Sequence, residues 1–513
     1  MARLALKPDS SFFRKIAIGA IGTRTVCAEL ATRGHHIVEL ERGSLDTKLW
    51  KDVKRKRVRI PDLVCERCGL RVESRAKTKP ELSMSHSLSD EARAWDFGMI
   101  ETDCIAFPVC QAIDEKQWAV GKLGAESSYW HEKNRVRWKA EEGVNYFRVA
   151  TFRSTTHART MTKGVTEGSE TIIAWKAIFS SRTGTVESVD GESITIRRDL
   201  DGHRYRSKVP SGVPILVVAG QQVRKNEVIA SALTPVSTAD LLCPEQLPEG
   251  HILHLLSSRE RTQRFTGVKL ARLRRDDTCR AQVADLAADK EEDVYIRLEG
   301  MSYLASVCGQ SVPELFSEFL GSADEQTQLE AVIALGETAN AGAVELLCEI
   351  LDSSRQPYFV RSAAAWCLGR IRSEEAVSRL VRAFADVDRT IRDEALGGLV
   401  SVGRAAIPIL LEGIREVNQD IAAGCAEALR QQKSIPDEVV TALGNDIKRD
   451  ERFRWSVWLL GHLPRDRVAN AIAGLQDESP HLQYAISLLW SFVESWIARR
   501  WELYPGSDFS AKE

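Results

Sequence analysis

The amino-acid sequence predicts a multidomain protein whose fold class changes along the chain: an α/β domain first, a β-rich middle, and an all-α repeat array last. Three observations carry this. A helical pattern followed by three short extended segments fills residues 12–77. Alternating apolar and polar residues between Asp-Gly turns fill 182–232. Beyond residue 280, an apolar residue, followed in six of seven cases by a polar one and most often by arginine, recurs at the spacing of helical repeats.

A chain of 513 residues is too long for one core, so several domains are expected. The composition shifts place them at 1–110 (α/β), 111–180 (β-rich extension), 181–255 (β module and linker), 256–500 (α-solenoid) and 501–513 (tail). Hydrophobic content of 43% and charged content of 28% fit a globular protein, and uninterrupted apolar stretches long enough to span a bilayer are not seen. The N-terminus lacks a signal-peptide layout, and eleven cysteines without a framework read as free thiols of a reducing cytoplasm. Net charge is −2, yet residues 35–79 hold thirteen Lys or Arg against seven Asp or Glu, a net +6. Such a local basic patch points to docking of an anion and away from a surface coated for nonspecific nucleic-acid binding.

In the first domain, residues 12–33 place Ile18, Ile21, Val26 and Leu30 at helical spacing, with Gly34 as a stop. The extended segments are 35–41 (HHIVELE), 58–65 (VRIPDLVC) and 70–77 (LRVESRAK). A helix is expected around 88–97 and a strand at 103–110. Alternation along 70–77 puts Glu73, Arg75 and Lys77 on one strand face, a hairpin turn away from Asp62. Three charges on one face inside a compact domain require compensation, which a bound metal ion or a phosphate supplies.

This arrangement resembles the PD-(D/E)xK nuclease superfamily. The matching residues are Pro61–Asp62 for the first acid and Glu73 for the second, with an upstream acid at Glu29, Glu39 or Glu41. Arg75 stands where the family has lysine, and Lys77 lies two residues further along the same face. The resemblance covers residues 12–110 and implies an αβββαβ core. It also implies Mg²⁺ (or Mn²⁺) held by Asp62, Glu73 and Glu29, with Glu41, Arg75 and Lys77 completing a catalytic or phosphate-binding site.

Lys48, Lys51, Lys54, Arg55, Lys56, Arg57 and Arg59 lead into Asp62. They read either as a solvated face or as cations contacting a nucleic-acid backbone, DNA before RNA. Cys65-x-x-Cys68-Gly is either half of a Zn²⁺ knuckle or a tight hairpin carrying two thiols. No second CxxC exists, and Cys104, Cys110 and His86 are the nearby candidates to complete it.

Residues 111–175 read as antiparallel strands whose aromatics (Trp118, Tyr129, Trp130, Trp138, Tyr146, Phe147) suit cross-strand core pairs better than base stacking. Residues 182–232 are similar to barrel-sandwich hybrid modules, read as a structural or docking piece because no hairpin presents a modifiable lysine. Residues 233–255, with Pro235, Pro244 and Pro248, read as a linker.

The repeat register runs Ile296–Arg297, Leu329–Glu330, Val360–Arg361, Ile391–Arg392, Ile421–Ala422, Phe453–Arg454 and Leu482–Gln483, at spacings of 33, 31, 31, 30, 32 and 29. It resembles short HEAT repeats, in which two-helix units stack because neither buries its apolar face alone. A protein partner is expected there. The aromatic terminal helix (Trp490, Phe492, Trp496, Trp501) is expected to bury itself against another domain or a partner. Two functions follow: a Mg²⁺-dependent nucleic-acid hydrolase of genome defence or DNA processing, or a noncatalytic HEAT adaptor whose nuclease-like domain binds nucleic acid or a partner protein.

Overall fold

A computed structural model describes residues 10–42, 60–91, 94–113, 137–163, 170–244, 246–432, 434–446, 453–463 and 467–468. The basic run 48–59, Trp118, Tyr129, Trp130 and the aromatic C-terminal helix lie outside the described residues. The chain forms two compact units that divide at Gly300. The sequence places the start of the helical part at 256; three helices from residue 251 onward precede the division and a fourth spans it.

In the first unit α1 (Ser10–Ala31) leads into β1 (Ile37–Glu39), β2 (Leu63–Cys65), β3 (Arg71–Ser74), β4 (Leu82–Ser87), β5 (Cys104–Phe107), β6 (Cys110–Ile113), β7 (Arg137–Ala140) and β8 (Asn145–Arg148). Five of these form a mixed sheet in the order β1-β2-β3-β5-β8, in which only β3 and β5 run parallel. Helix α1 covers one face: Val26 and Leu30 pack on Leu63, Val72, Cys104 and Ala106. Gly34 stops the helix with φ +84°, as expected. Gly22 lies where the helix meets the sheet, and a Cβ there would sit 2.5 Å from that of Ala76.

The crossover from β3 to β5 differs from expectation. The described residues of 88–97 form bends and turns, with a 3-10 residue at Glu91 and no α-helix among them, and 82–87 form β4, which joins a second sheet, β4-β10-β9. Ser87 Oγ accepts the Asp90 N–H at 3.1 Å, closing a turn where helix was expected. Trp95 then drops into the core against Phe152 and Trp175. Of the expected αβββαβ order the first helix and the predicted strands form, but β4 stands between β3 and β5 and the described residues of 88–97 hold no α-helix.

The chain continues through α2 (Val149–Ser154), β9 (Arg159–Lys163), β10 (Glu170–Trp175), β11 (Ala177–Phe179), β12 (Gly184–Asp190), β13 (Ser193–Arg198), β14 (Arg204–Lys208), β15 (Gln222–Val223) and β16 (Val228–Ser231). Trp138 lies on β7, while Tyr146 and Phe147 of β8 are core residues. The module expected at 182–232 is a four-stranded sheet, β14-β13-β12-β15, closed by the β11–β16 pair over Val186, Ile194, Ile196, Val223 and Ile229. Its turns match the Gly pattern, with Gly202 and Gly220 at φ +72° and +85°. Asn145 ties it to the first sheet, donating to the Asn226 carbonyl and accepting the Val228 N–H, each at 2.8 Å.

Residues 233–244 are a strap rather than a free linker. Leu241 is buried in the α1 core, and the N–H groups of Val236 and Cys243 donate to the carbonyls of Tyr146 and Arg33. Helices α3 (His251–Leu256), α4 (Arg261–Leu273), α5 (Arg280–Ala288) and the start of α6 (Val294–Ser306) complete this unit. Two buried charge clusters fix them. Arg71 forks onto Asp103 at 2.8 and 2.5 Å and reaches Thr262 and Thr266, and Glu299 takes Arg42, Lys269 and Arg272.

The second unit stacks α7 (Val312–Leu320), α8 (Glu325–Thr338), α9 (Ala341–Asp352), α10 (Tyr358–Ile371), α11 (Glu374–Arg382), α12 (Arg389–Val402), α13 (Ile407–Gly413), α14 (Gln419–Arg430), α15 (Asp437–Asp446) and α16 (Phe453–Leu460). Side chains of Asp324, Asn340, Ser373, Asp388 and Asn418 cap five N-termini. Six of the seven registers fall on alternate helices, α6 to α16, and Leu482 lies outside the described residues. The apolar members Ile296, Leu329, Val360 and Ile391 are buried. The arginines explain the second letter of the register: Arg361 donates to the Leu351 carbonyl at 2.8 Å and Arg392 to that of Val387 at 3.1 Å. Arg361 thus fastens α10 to the carbonyl end of α9, whereas Arg392 binds the loop that leads into its own helix. Residues 389–413 are long and apolar enough to cross a membrane, but Gly403 breaks them into α12 and α13, which bury Ile391, Leu399 and Leu410 in the array.

Candidate functional site

The β2–β3 hairpin positions the acids singled out by the sequence. Its register pairs Leu63 with Val72, so residue 62 falls level with residue 73. Asp62 Oδ2 accepts the Ser74 N–H at 2.8 Å, and its backbone carbonyl accepts the N–H groups of Leu40 and Glu41. Glu73 lies on the opposite face from Val72, beside Ile105 of β5. There it pairs with Arg75 Nη2 at 3.0 Å, an ion pair with side chains 13% and 32% exposed. Arg75 Nη2 also donates to the Trp95 carbonyl at 3.4 Å, while its buried Nε has no hydrogen-bond partner among the described residues.

Lys77 shares this face, as expected. Its Nζ donates to Ser83 Oγ at 3.0 Å and lies 4.0 Å from Glu81. Burial lowers its pKa to about 8; Glu81 opposes that shift, while Arg75 and Lys79 add to it.

The third acid does not join. Glu29 is held by Arg33 at 2.7 Å and by Arg224 at 2.8 Å. Glu39 pairs with Leu63 in register and so faces α1, where it and Asp62 reinforce the burial that pushes the Cys27 thiol up to about 12. Glu41 follows β1 and is positioned by the Asp62 carbonyl. Among the described residues, Asp62, Glu73, Glu29 and Glu41 do not form a cluster of three with ligand atoms in metal-binding proximity.

One group does: His35, Cys65, Cys68 and Cys243, whose ligand atoms all lie within 4.8 Å of one another. Cys104, Cys110 and His86 are not part of it. Cys104 packs in the α1 core, Cys110 Sγ points at the Ile18 carbonyl, and His86 Nδ1 accepts the Trp95 N–H. Hydrogen bonds from Cys68 and His35 and from the Cys68 and Arg67 backbone outweigh burial and lower the Cys65 pKa. The hydrogen bond with Cys65, and then burial, raise that of Cys68. The sequence signal for Cys243 was a lone cysteine before Pro244, and for His35 a histidine just past the helix stop. Neither has a spacing that announces a partner.

A family model for HEAT repeats matches residues 312–400 and 360–430, the span from α7 through α14. No curated protein matches the chain. Solved structures similar to it include an engineered protein (19% identity, 46% of this chain and 75% of that one, TM-score 0.23). Human deoxyhypusine hydroxylase in complex with glycerol is similar at 16% identity (48% and 95%, TM-score 0.19). A designed armadillo repeat protein in complex with the peptide (KR)4 is similar at 14% identity (47% and 97%, TM-score 0.21).

Proposed function

We propose that this chain is a noncatalytic adaptor: its HEAT array holds a protein partner, and its N-terminal α/β domain docks nucleic-acid backbone without cleaving it. The observation that carries this reading is the state of the acids. Glu73 is neutralised by Arg75, Glu29 by two arginines, and Asp62 is hydrogen-bonded by the Ser74 backbone, so two or three free carboxylates are not offered to one Mg²⁺ ion. Arginine where the nuclease family has lysine fits the same reading: a guanidinium holds a phosphate by its fork and does not give up a proton. The cations of 48–59, adjacent in sequence, would supply further backbone contacts.

The experiment is incubation of the full chain with supercoiled plasmid, linear duplex, single strands and RNA, in Mg²⁺ or Mn²⁺, beside Asp62→Ala. We expect retention of nucleic acid that weakens with salt, and no cleavage by either protein. Metal-dependent cleavage that disappears in Asp62→Ala overturns the adaptor and establishes the second reading, a hydrolase. The level placement of residues 62 and 73 on neighbouring strands favours that alternative.

A further inference from the structure

We propose that His35, Cys65, Cys68 and Cys243 bind one Zn²⁺ ion that fastens the strap 233–244 to the β2–β3 hairpin and to the end of α1. The donor set is three thiolates and an imidazole, which selects zinc over the oxygen-seeking Mg²⁺ of the nuclease resemblance.

The distances carry the argument. A zinc ion with Zn–S of about 2.3 Å and Zn–N of about 2.0–2.1 Å sits in a tetrahedron whose sulfur–sulfur edge is about 3.8 Å and whose sulfur–nitrogen edge is about 3.5 Å. Cys65 Sγ lies 3.9 Å from Cys243 Sγ, and Cys68 Sγ lies 3.5 Å from His35 Nδ1. One edge of each kind is thus already at tetrahedral length. A disulfide would need the sulfurs at about 2.05 Å, so the cluster is not shaped as a cystine.

The imidazole is also oriented for the task. Its Nε2 lies 2.9 Å from the Leu241 carbonyl in a buried contact, which fixes the proton on that nitrogen and leaves the Nδ1 lone pair facing the sulfurs. The carbonyl comes from the same strap that delivers Cys243. The CxxC turn is closed by its own backbone, with the Cys65 N–H on the Leu70 carbonyl and the Gly69 N–H on the Cys65 carbonyl, both at 2.8 Å, and with Gly69 at φ +75°. Four protein ligands fill a tetrahedral shell and leave no position for water, so the site is structural. Cys65 and Cys243 are 178 residues apart in sequence, and the ion would close that long loop.

The test is metal analysis of the full chain purified under reducing conditions without added metal. We expect one zinc per chain in the wild type and in Cys308→Ser, whose cysteine lies outside the cluster, and loss of that zinc in Cys68→Ser and Cys243→Ser. Because a variant can lose metal by failing to fold, wild-type protein refilled with Co²⁺ supplies the second readout, with absorption bands of tetrahedral, thiolate-bound cobalt expected. Substoichiometric zinc together with no such bands overturns the proposal. So does iron in place of zinc, or a Cys243→Ser protein that keeps its full zinc content and cobalt spectrum.

Discussion

Lys77 shows what a charge costs when a strand face turns inward. Its ammonium is mostly buried, and Ser83 and the more distant Glu81 do not make up the lost hydration, so its pKa falls from 10.5 to about 8. Below pH 8 both the folded and unfolded chains hold the proton, and the folded state bears the whole cost. Between pH 8 and 10.5 the unfolded chain alone retains it, so raising the pH through that window favours folding. Lys77→Met should therefore stabilise the first unit near pH 7 by up to about 2 kcal/mol. The Ser83–Glu81 hydrogen bond at 3.0 Å survives the substitution. The gain should shrink steadily as the pH approaches 10.5, and denaturant melts of both proteins across that range would show it. A constant gap across the range would mean that the lysine is solvated. By contrast, Glu73 and Arg75, four and two residues earlier, already neutralise one another. The same strand thus offers one compensated pair and one strained cation, where the nuclease resemblance asks for a free acid and a free lysine.

Among the elements, the repeat helices are set apart by how closely they cross. Gly369 of α10 faces Gly398 of α12, and a Cβ on Gly369 would lie 2.5 Å from the Gly398 Cα, with backbone and no flexible side chain to give way. Gly342 in the first turn of α9 meets nothing nearer than 3.7 Å. Alanine gains up to about 1 kcal/mol of helix propensity over glycine, whereas forcing two packed helices apart costs about 1–3 kcal/mol. Gly369→Ala should thus destabilise the repeat unit by about 1–2 kcal/mol and Gly342→Ala stabilise it by about 0.5–1 kcal/mol, opposite signs that equilibrium unfolding would separate. Both the register and its small residues were legible in the sequence, because a solenoid's contacts lie between neighbours about thirty residues apart and repeat. The strands of the first unit were legible as alternation, as was the inward turn of Tyr146 and Phe147. The crossover was not: β4 is a strand because it pairs with β10, some ninety residues later, and LSMSHS carries no local mark of that partner. Cys243 was missed for the same reason. A proline-rich stretch reads as linker until tertiary contacts pin Leu241 beneath α1.

At the scale of the whole molecule, two units with separate cores should respond to separate perturbations. In the first, segments distant in sequence meet at the thiol–imidazole cluster, at Glu299 with its three cations, and at the Arg71–Asp103 fork. Buried charges of this kind cost much to leave unpaired, so geometry at these points is held cooperatively. In the second, stability among the described residues accumulates from one helix pair to the next. Removing zinc with a chelator should therefore raise hydrogen exchange over β1–β3 and the strap 233–244, and lower the unfolding transition of the first unit, while α8 to α14 keep their protection. Gly369→Ala should do the reverse. The pattern to be measured is exchange by mass spectrometry on metal-loaded, chelated and variant protein. If chelation loosened the repeats as much as the hairpin, the ion would be supporting the whole chain and the independence of the two units would be lost. If it loosened neither, the strap would be held by Leu241 and its backbone hydrogen bonds alone, with the four ligands merely neighbours.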